Sequence, residues 1–314
     1  MTIQLNKTHA DRAYGVLASV PTGSDLVGAL SAGDLLWSVE GLPISAYRNG
    51  DNFALPGYQC VSRITPYDDP IPLGIVSKSY EVIQNIDAFA PLEQLRLDGR
   101  LSYAQAGGTK LGARVFVLCD LAEGTTITGE DPHVRRLIAT TAHDGSGSLR
   151  LIPMLERVYC TNALTMVGKF RKAIISIKHD RLAAGRVLDL NTSLTKSLLS
   201  LAEMEREYEA LMSTTVHGGD VEVFLAELFP RRGQSATDRM RDTVVRNRND
   251  VRSIYNGQTG TQANLHGTAA GLLNAATEWE QHFHGKSAER RSARLLEGRS
   301  DQFMDRAWYL AGAL

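Results

Sequence analysis

His143 and Asp144 stand side by side in the polar hexapeptide His143-Asp144-Gly145-Ser146-Gly147-Ser148. An imidazole beside a carboxylate can ligate a metal or relay a proton, and turns between strands often display such groups. The plainer alternative is that Asp144 shapes the turn and His143 closes the strand before it. Phosphohydrolases with an adjacent His-Asp signature need further His and Asp on helices, at spacings absent here. A second set, Asn274, Glu278 and His282, recurs at i, i+4 and i+8, which aligns three polar groups on one helix face. They could hold a metal or orient a ligand, yet the His-Glu-x-x-His order of a zinc peptidase is missing. The alternative is a hydrogen-bonding face, solvated or at an interface. Asn162, in the step Cys160-Thr161-Asn162, completes an enzyme reading in which His143, Asp144, Asn162, Glu278 and His282 share one cleft.

The third set is cationic. Residues 131–186 carry ten Lys/Arg against four Asp/Glu, whereas residues 1–130 carry nine against fourteen. A near-neutral whole, 34 basic and 35 acidic, therefore conceals a basic middle. Clustered positive charge attracts polyanions, nucleic acid foremost. Arg135, Arg136, Arg150, Lys169, Arg171, Lys172 and Lys178 are the candidate phosphate contacts, with Tyr159 and Phe170 as candidate stacking residues. The competing use of such charges is to keep strand edges solvated and unpaired. Alternation along the strands does not gather every charge on one face, since Arg135 and Arg136 must point to opposite sides.

Several chemistries find no signature. Gly107-Gly108-Thr109-Lys110 lacks the spacing of a phosphate loop, and Gly145-Ser146-Gly147 does not open a helix as a dinucleotide fingerprint would. No Gly-x-Ser-x-Gly elbow occurs. No cofactor and no metal site is expected. Cys60, Cys119 and Cys160 lie far apart without a Cys-x-x-Cys pair, which argues against a disulfide framework. No apolar run approaches the ~18–20 residues that span a bilayer. A cytoplasmic protein without a membrane partner is expected.

These residues must be positioned by strands first and helices later. Alternation predicts strands over 58–64, 73–77, 101–106, 114–119, 134–140 and 148–159, with Gly107-Gly108 turning one hairpin and His143–Ser148 another. Ile86, Phe89, Leu92 and Leu95 predict a helix that begins near Asn85 and stops at Gly99. Residues 173–177 fit either a short strand or a helix end. Beyond them, leucine spacing and the run Glu203–Glu209 predict long helices, then a short helix closed by Pro230, an amphipathic helix over 265–284 and a final pair over 287–297 and 301–313. The fold class is α+β: an antiparallel-rich mixed sheet with packed helices, followed by an all-helical C-terminal part. Residues 1–55 form a segment of uncertain organisation, 56–190 the α+β core, and 191–314 a helical region able to pack with the core as one unit.

Taken in order, the segments resemble a family of phage- and plasmid-associated proteins that carry domain of unknown function 932. The resemblance rests on Leu36-Trp37, on 73–85, on Tyr103-Ala104-Gln105-Ala106-Gly107 and on 113–118. Its strongest part is Thr140–Ser148 continued by 157–164, followed by Ile177-Lys178-His179, Asn274–Trp279 and His282. It spans about 35 to 285. Two positions depart from the family pattern: the less aromatic Thr268–Leu273 and Gln281, where an acidic residue is usual. The resemblance implies mobile-element DNA metabolism. The expected function is therefore nucleic-acid binding in recombination or replication, with single-stranded DNA as partner. Such a protein would anneal strands without nucleotide hydrolysis, in the manner of Red-beta type proteins, and would form a homo-oligomer.

Overall fold

In the computed structural model, residues 17–126, 133–157, 163–165, 175–178, 190–230, 237–260, 264–285 and 287–314 are described. Ten strands are β1 (Ala18–Ser19), β2 (Ser38–Arg48), β3 (Asp51–Ile64), β4 (Ile71–Ser77), β5 (Leu101–Thr109), β6 (Arg114–Thr126), β7 (His133–Ala142), β8 (Leu149–Arg157), β9 (Ala163–Thr165) and β10 (Ile175–Ile177). Helices α1 (Leu26–Ala32) and α2 (Asn85–Leu97) lie among them. Among the described residues after β10 the elements are helices: α3 (Leu190–Ser213), α4 (Gly218–Leu228), α5 (Asp238–Tyr255), α6 (Ala269–Glu278), a π-helical turn (Trp279–Phe283), α7 (Ala288–Leu296) and α8 (Asp301–Ala311). Strands first and helices last make the fold α+β, as the pattern predicts.

The main sheet has seven strands in the order β1-β5-β6-β7-β8-β10, with β9 also pairing with β8. Every pairing described is antiparallel, in this sheet and in the separate three-stranded sheet β2-β3-β4. Residues of the main sheet alternate between two buried layers. Val115, Val117, Cys119, Leu137 and Leu151 face the larger core, which reaches from Val20 to Ala311 and joins the sheet to α1–α6 and α8. Phe116, Leu118, Ile138, Ile152 and Met154 face the other side, where Leu295 and Leu296 of α7 cover them. Helices on both faces explain why β6 and β8 carry unbroken apolar runs, Val115–Cys119 and Leu151–Leu155. Residues 1–55 contain a structured part after all: β1, α1, β2 and the start of β3. Strands β2 and β3 form a long hairpin closed by Asn49 (φ 52) and Gly50 (φ 96), the left-handed pair that a two-residue turn requires.

One turn departs from expectation. Gly107-Gly108 does not turn the hairpin but continues β5, and the chain reverses through Lys110-Leu111-Gly112. A Cβ on Gly108 would lie 3.0 Å from the Arg114 carbonyl, so glycine is used there for close strand approach. The turn itself places Lys110 (φ 52) and Leu111 (φ 61) in the left-handed region, where non-glycine residues are uncommon.

Candidate nucleic-acid interface

His143 continues the ladder past β7, its N–H donating to the Ala113 carbonyl at 2.8 Å. Its ring is fully buried, with Nε2 2.9 Å from Oδ1 of Asn85. Asn85 opens α2 and donates from Nδ2 to the Leu35 carbonyl at 3.0 Å, so Oδ1 must accept and Nε2 of His143 carries the proton. Trp37 meets the imidazole edge-on at 5.6 Å. Tyr80 donates to the Ala142 carbonyl at 2.8 Å, and burial, helped by the Asp144 charge, holds its phenol above the usual range. Asp144 turns the other way. Its Oδ1 accepts from the Ser146 N–H at 2.9 Å and from the Ser146 hydroxyl, to which Arg114 also donates at 3.0 Å. Strand β4 backs this turn so closely that a Cβ on Gly74 would lie 2.6 Å from Cα of Asp144. Neighbours in sequence, His143 and Asp144 thus diverge: one locks the sheet to α2 and the other shapes the turn.

The second polar set lies elsewhere. Asn274 is fully buried and donates to the Tyr208 hydroxyl at 2.6 Å, and the Tyr208 ring meets His133 edge-on at 4.7 Å. His133 opens β7, so roughly 33 Å of strand, at ~3.3 Å per residue, separates it from His143. Asn274 and His143 therefore belong to opposite ends of the sheet, and one cleft does not gather both. Glu278 is buried one turn beyond Asn274, and His282 is half-buried in the π-helical turn. The stripe read as a hydrogen-bonding face is thus not solvated: every residue of α6 is buried. Asn162 lies outside the described residues.

The cations divide sharply. Arg135 forms a bidentate pair with Glu205 of α3, at 2.6 and 2.7 Å. Arg136, on the opposite face, is held by Asp120 at 2.8 Å and Glu156 at 2.7 Å. Burial pushes the Glu156 carboxyl up to about 7, against the pull of Arg136. Arg157 is fully buried and donates to Asn264 at 2.7 Å. Arg135 and Arg136 are thereby engaged within the fold. Arg150 and Lys178 lie towards the other end of the sheet, nearer His143. Ser176 of β10 is the direct partner of Arg150, and the exposed Lys178 follows two residues later, hence on the same side. Lys169, Arg171 and Lys172, with Tyr159 and Phe170, lie outside the described residues.

Three further cations join that end of the sheet. Arg114 lies on the same face, two strands across from Arg150. The loop after α7 comes alongside as well: a Cβ on Gly298 would sit 3.6 Å from Nη1 of Arg150. Exposed Arg299 pairs there with Glu297 at 2.7 Å, and Lys110 approaches the same carboxylate at 3.4 Å. Glu280 in the π-helical turn anchors this loop, accepting from Arg294 (2.5 Å), Ser300 (2.7 Å) and His284 (2.6 Å). Burial alone would raise its carboxyl, but those hydrogen bonds outweigh burial and hold it below the usual value. The result is a cationic sheet end, Lys110, Arg114, Arg150, Lys178 and Arg299, with Asp144 and Glu297 as interspersed acids. Lys110 and Arg114 lie outside the basic middle and Arg299 in a mixed-charge stretch near Arg290, Arg291, Arg294 and Glu297, so composition gave no signal that they cluster; topology unites them.

No helix among the described residues is long and apolar enough to cross a membrane. No curated protein and no solved structure matches the chain. The family model of the domain of unknown function DUF932 matches residues 72–308. That match begins at β4, leaving Leu36-Trp37 outside it, and runs into α8, beyond the resemblance read from the residues. The chain belongs to the DUF932 family.

Proposed function

We propose that this protein binds nucleic acid, single-stranded DNA in the first instance, through the cationic end of its main sheet. The observation that carries the reading is the juxtaposition of Arg150 and Lys178 on one side of neighbouring strands, with Arg299 brought beside them. Repeated cations about one strand spacing apart suit a phosphate backbone, which is recognised by charge rather than by sequence. Arg135 and Arg136 leave the contact set, because they lie towards the His133 end of the sheet, away from Arg150, where Glu205 and Glu156 hold their guanidinium groups. Lys169, Arg171 and Lys172, which precede β10 in the chain, remain part of the proposal. Action in recombination or replication of a phage, prophage or plasmid, by annealing strands within a homo-oligomer, belongs to the same proposal and rests on the family resemblance. The enzyme alternative is weaker, because its two adjacent members diverge: His143 is buried against Asn85 while Asp144 is held by Ser146 in the turn.

The test is fluorescence anisotropy with a labelled single-stranded oligonucleotide at low salt. The Arg150→Ala/Lys178→Ala double variant should bind at least about tenfold more weakly than the parent, since each phosphate contact contributes to a counterion-linked affinity. Unchanged affinity in the double variant would overturn the assignment of this surface.

A further inference from the structure

A cleft of about 280 Å³ opens beside the Lys110-Leu111-Gly112 turn, lined among others by Asp34, Trp37, Arg63, Gly107, Leu111 and Gly112. Arg63 lies over the Trp37 ring at 5.1 Å and donates to the Asp34 carboxylate at 2.8 Å, so its guanidinium is fixed between the indole and that carboxylate. Asp34 is 81% exposed. The backbone here is strained as well. Among the described residues four non-glycine positions have positive φ; Asn49 serves the β2–β3 hairpin, while Asp34, Lys110 and Leu111 all belong to this cleft or its turn. Strain concentrated at one cleft is a recurrent mark of a ligand site.

We infer that this cleft takes one unstacked nucleobase of the strand whose phosphates lie on Lys110 and Arg114, an inference that rests on the nucleic-acid reading above. Three features select a base. The volume is at the low end for small-molecule pockets, enough for one planar ring system. The exposed Asp34 carboxylate repels phosphate but accepts from a base N–H, so the backbone stays outside and the uncharged ring enters. Arg63, pinned by Trp37 and Asp34, offers a fixed planar cation on which an aromatic ring stacks. Lys110 sits between the two subsites: its neighbour Leu111 lines the cleft, while its ammonium group approaches Glu297 on the cationic end. A base that must leave its stack to be bound makes the site selective for single strands over duplex.

The experiment compares a labelled single-stranded oligonucleotide with one of equal length whose residues are all abasic, against the parent protein, Arg63→Ala and Asp34→Asn. The parent should bind the base-containing strand about tenfold more tightly, within the range that one stacked base contributes. Arg63→Ala should bind both strands alike. Asp34→Asn, which leaves the exposed site nearly isosteric, should shift the preference among homopolymers without abolishing binding. If the parent binds both strands equally, with normal salt dependence, the base pocket is wrong and the phosphate surface stands. If the parent binds neither strand at low salt, both readings fall.

Discussion

Replacing Arg135 with alanine removes the bidentate partner of a buried carboxylate. Glu205 is 8% exposed, on a helix whose neighbours Leu201, Met204 and Tyr208 are all buried, and Arg135 grips both its oxygens at 2.6 and 2.7 Å. Removing one partner of a buried pair costs about 3–5 kcal/mol, because the remaining charge is left in a poorly polarisable setting. With an m-value near 3 kcal/mol/M, that loss lowers the urea midpoint by about 1–2 M. Replacing both residues with apolar ones, Arg135→Met/Glu205→Leu, should return the midpoint close to that of the parent, since a buried pair contributes little net stability over a packed hydrophobic pair. The oligonucleotide affinity of folded Arg135→Ala should keep the parent's salt dependence. Urea denaturation followed by circular dichroism measures the first effect and anisotropy the second. A cost below about 1 kcal/mol together with a shallower salt dependence would refute the reasoning, returning Arg135 to the phosphate contacts.

Glu156 gives the fold a pH dependence of unusual sign. Its carboxyl is pushed up from an ordinary 4.5 to about 7, so the native state binds the proton more tightly than the unfolded chain. The associated stability is fully present below 4.5 and is lost as pH rises towards 7, a change of order 3 kcal/mol. Glu156→Gln should flatten the stability profile across that window, and denaturant midpoints at several pH values will test it; an unchanged profile would show that another group dominates. Gly74→Ala should destabilise by about 1–3 kcal/mol, because its Cβ would meet Asp144 Cα at 2.6 Å and must displace the 143–148 turn. Thermal unfolding with no loss would mean the turn yields freely.

Much of the sheet was legible because β6 and β8 carry short apolar runs bounded by turn residues, and the His143–Ser148 turn carries glycine at Gly145 (φ 74). The Gly107-Gly108 turn was misplaced for a physical reason: glycine marks both reversal and close strand approach, and only the partner strand tells which. The stripe Asn274, Glu278 and His282 read as either solvated or at an interface because helical periodicity finds a stripe without revealing what covers it. The small residues Ala269, Ala270, Gly271, Ala275 and Ala276 were the available hint of burial on all sides. Charge clustering along the chain overstated the surface. Arg135 meets Glu205 across 70 positions and Arg136 meets Glu156 across 20, distances at which local composition is silent. The same blindness hid Lys110, Arg114 and Arg299.

The most direct test of the cationic sheet end is the salt dependence of single-stranded oligonucleotide binding by the parent protein. Phosphate contacts from Lys110, Arg114, Arg150, Lys178 and Arg299 predict that log K falls against log salt with a slope of roughly −3.5 or steeper, since Lys169, Arg171 and Lys172 add to it, and that deleting any one of the five makes the slope shallower by about 0.7. Absence of binding at about 50 mM salt, or a slope that none of these five deletions alters, would contradict it.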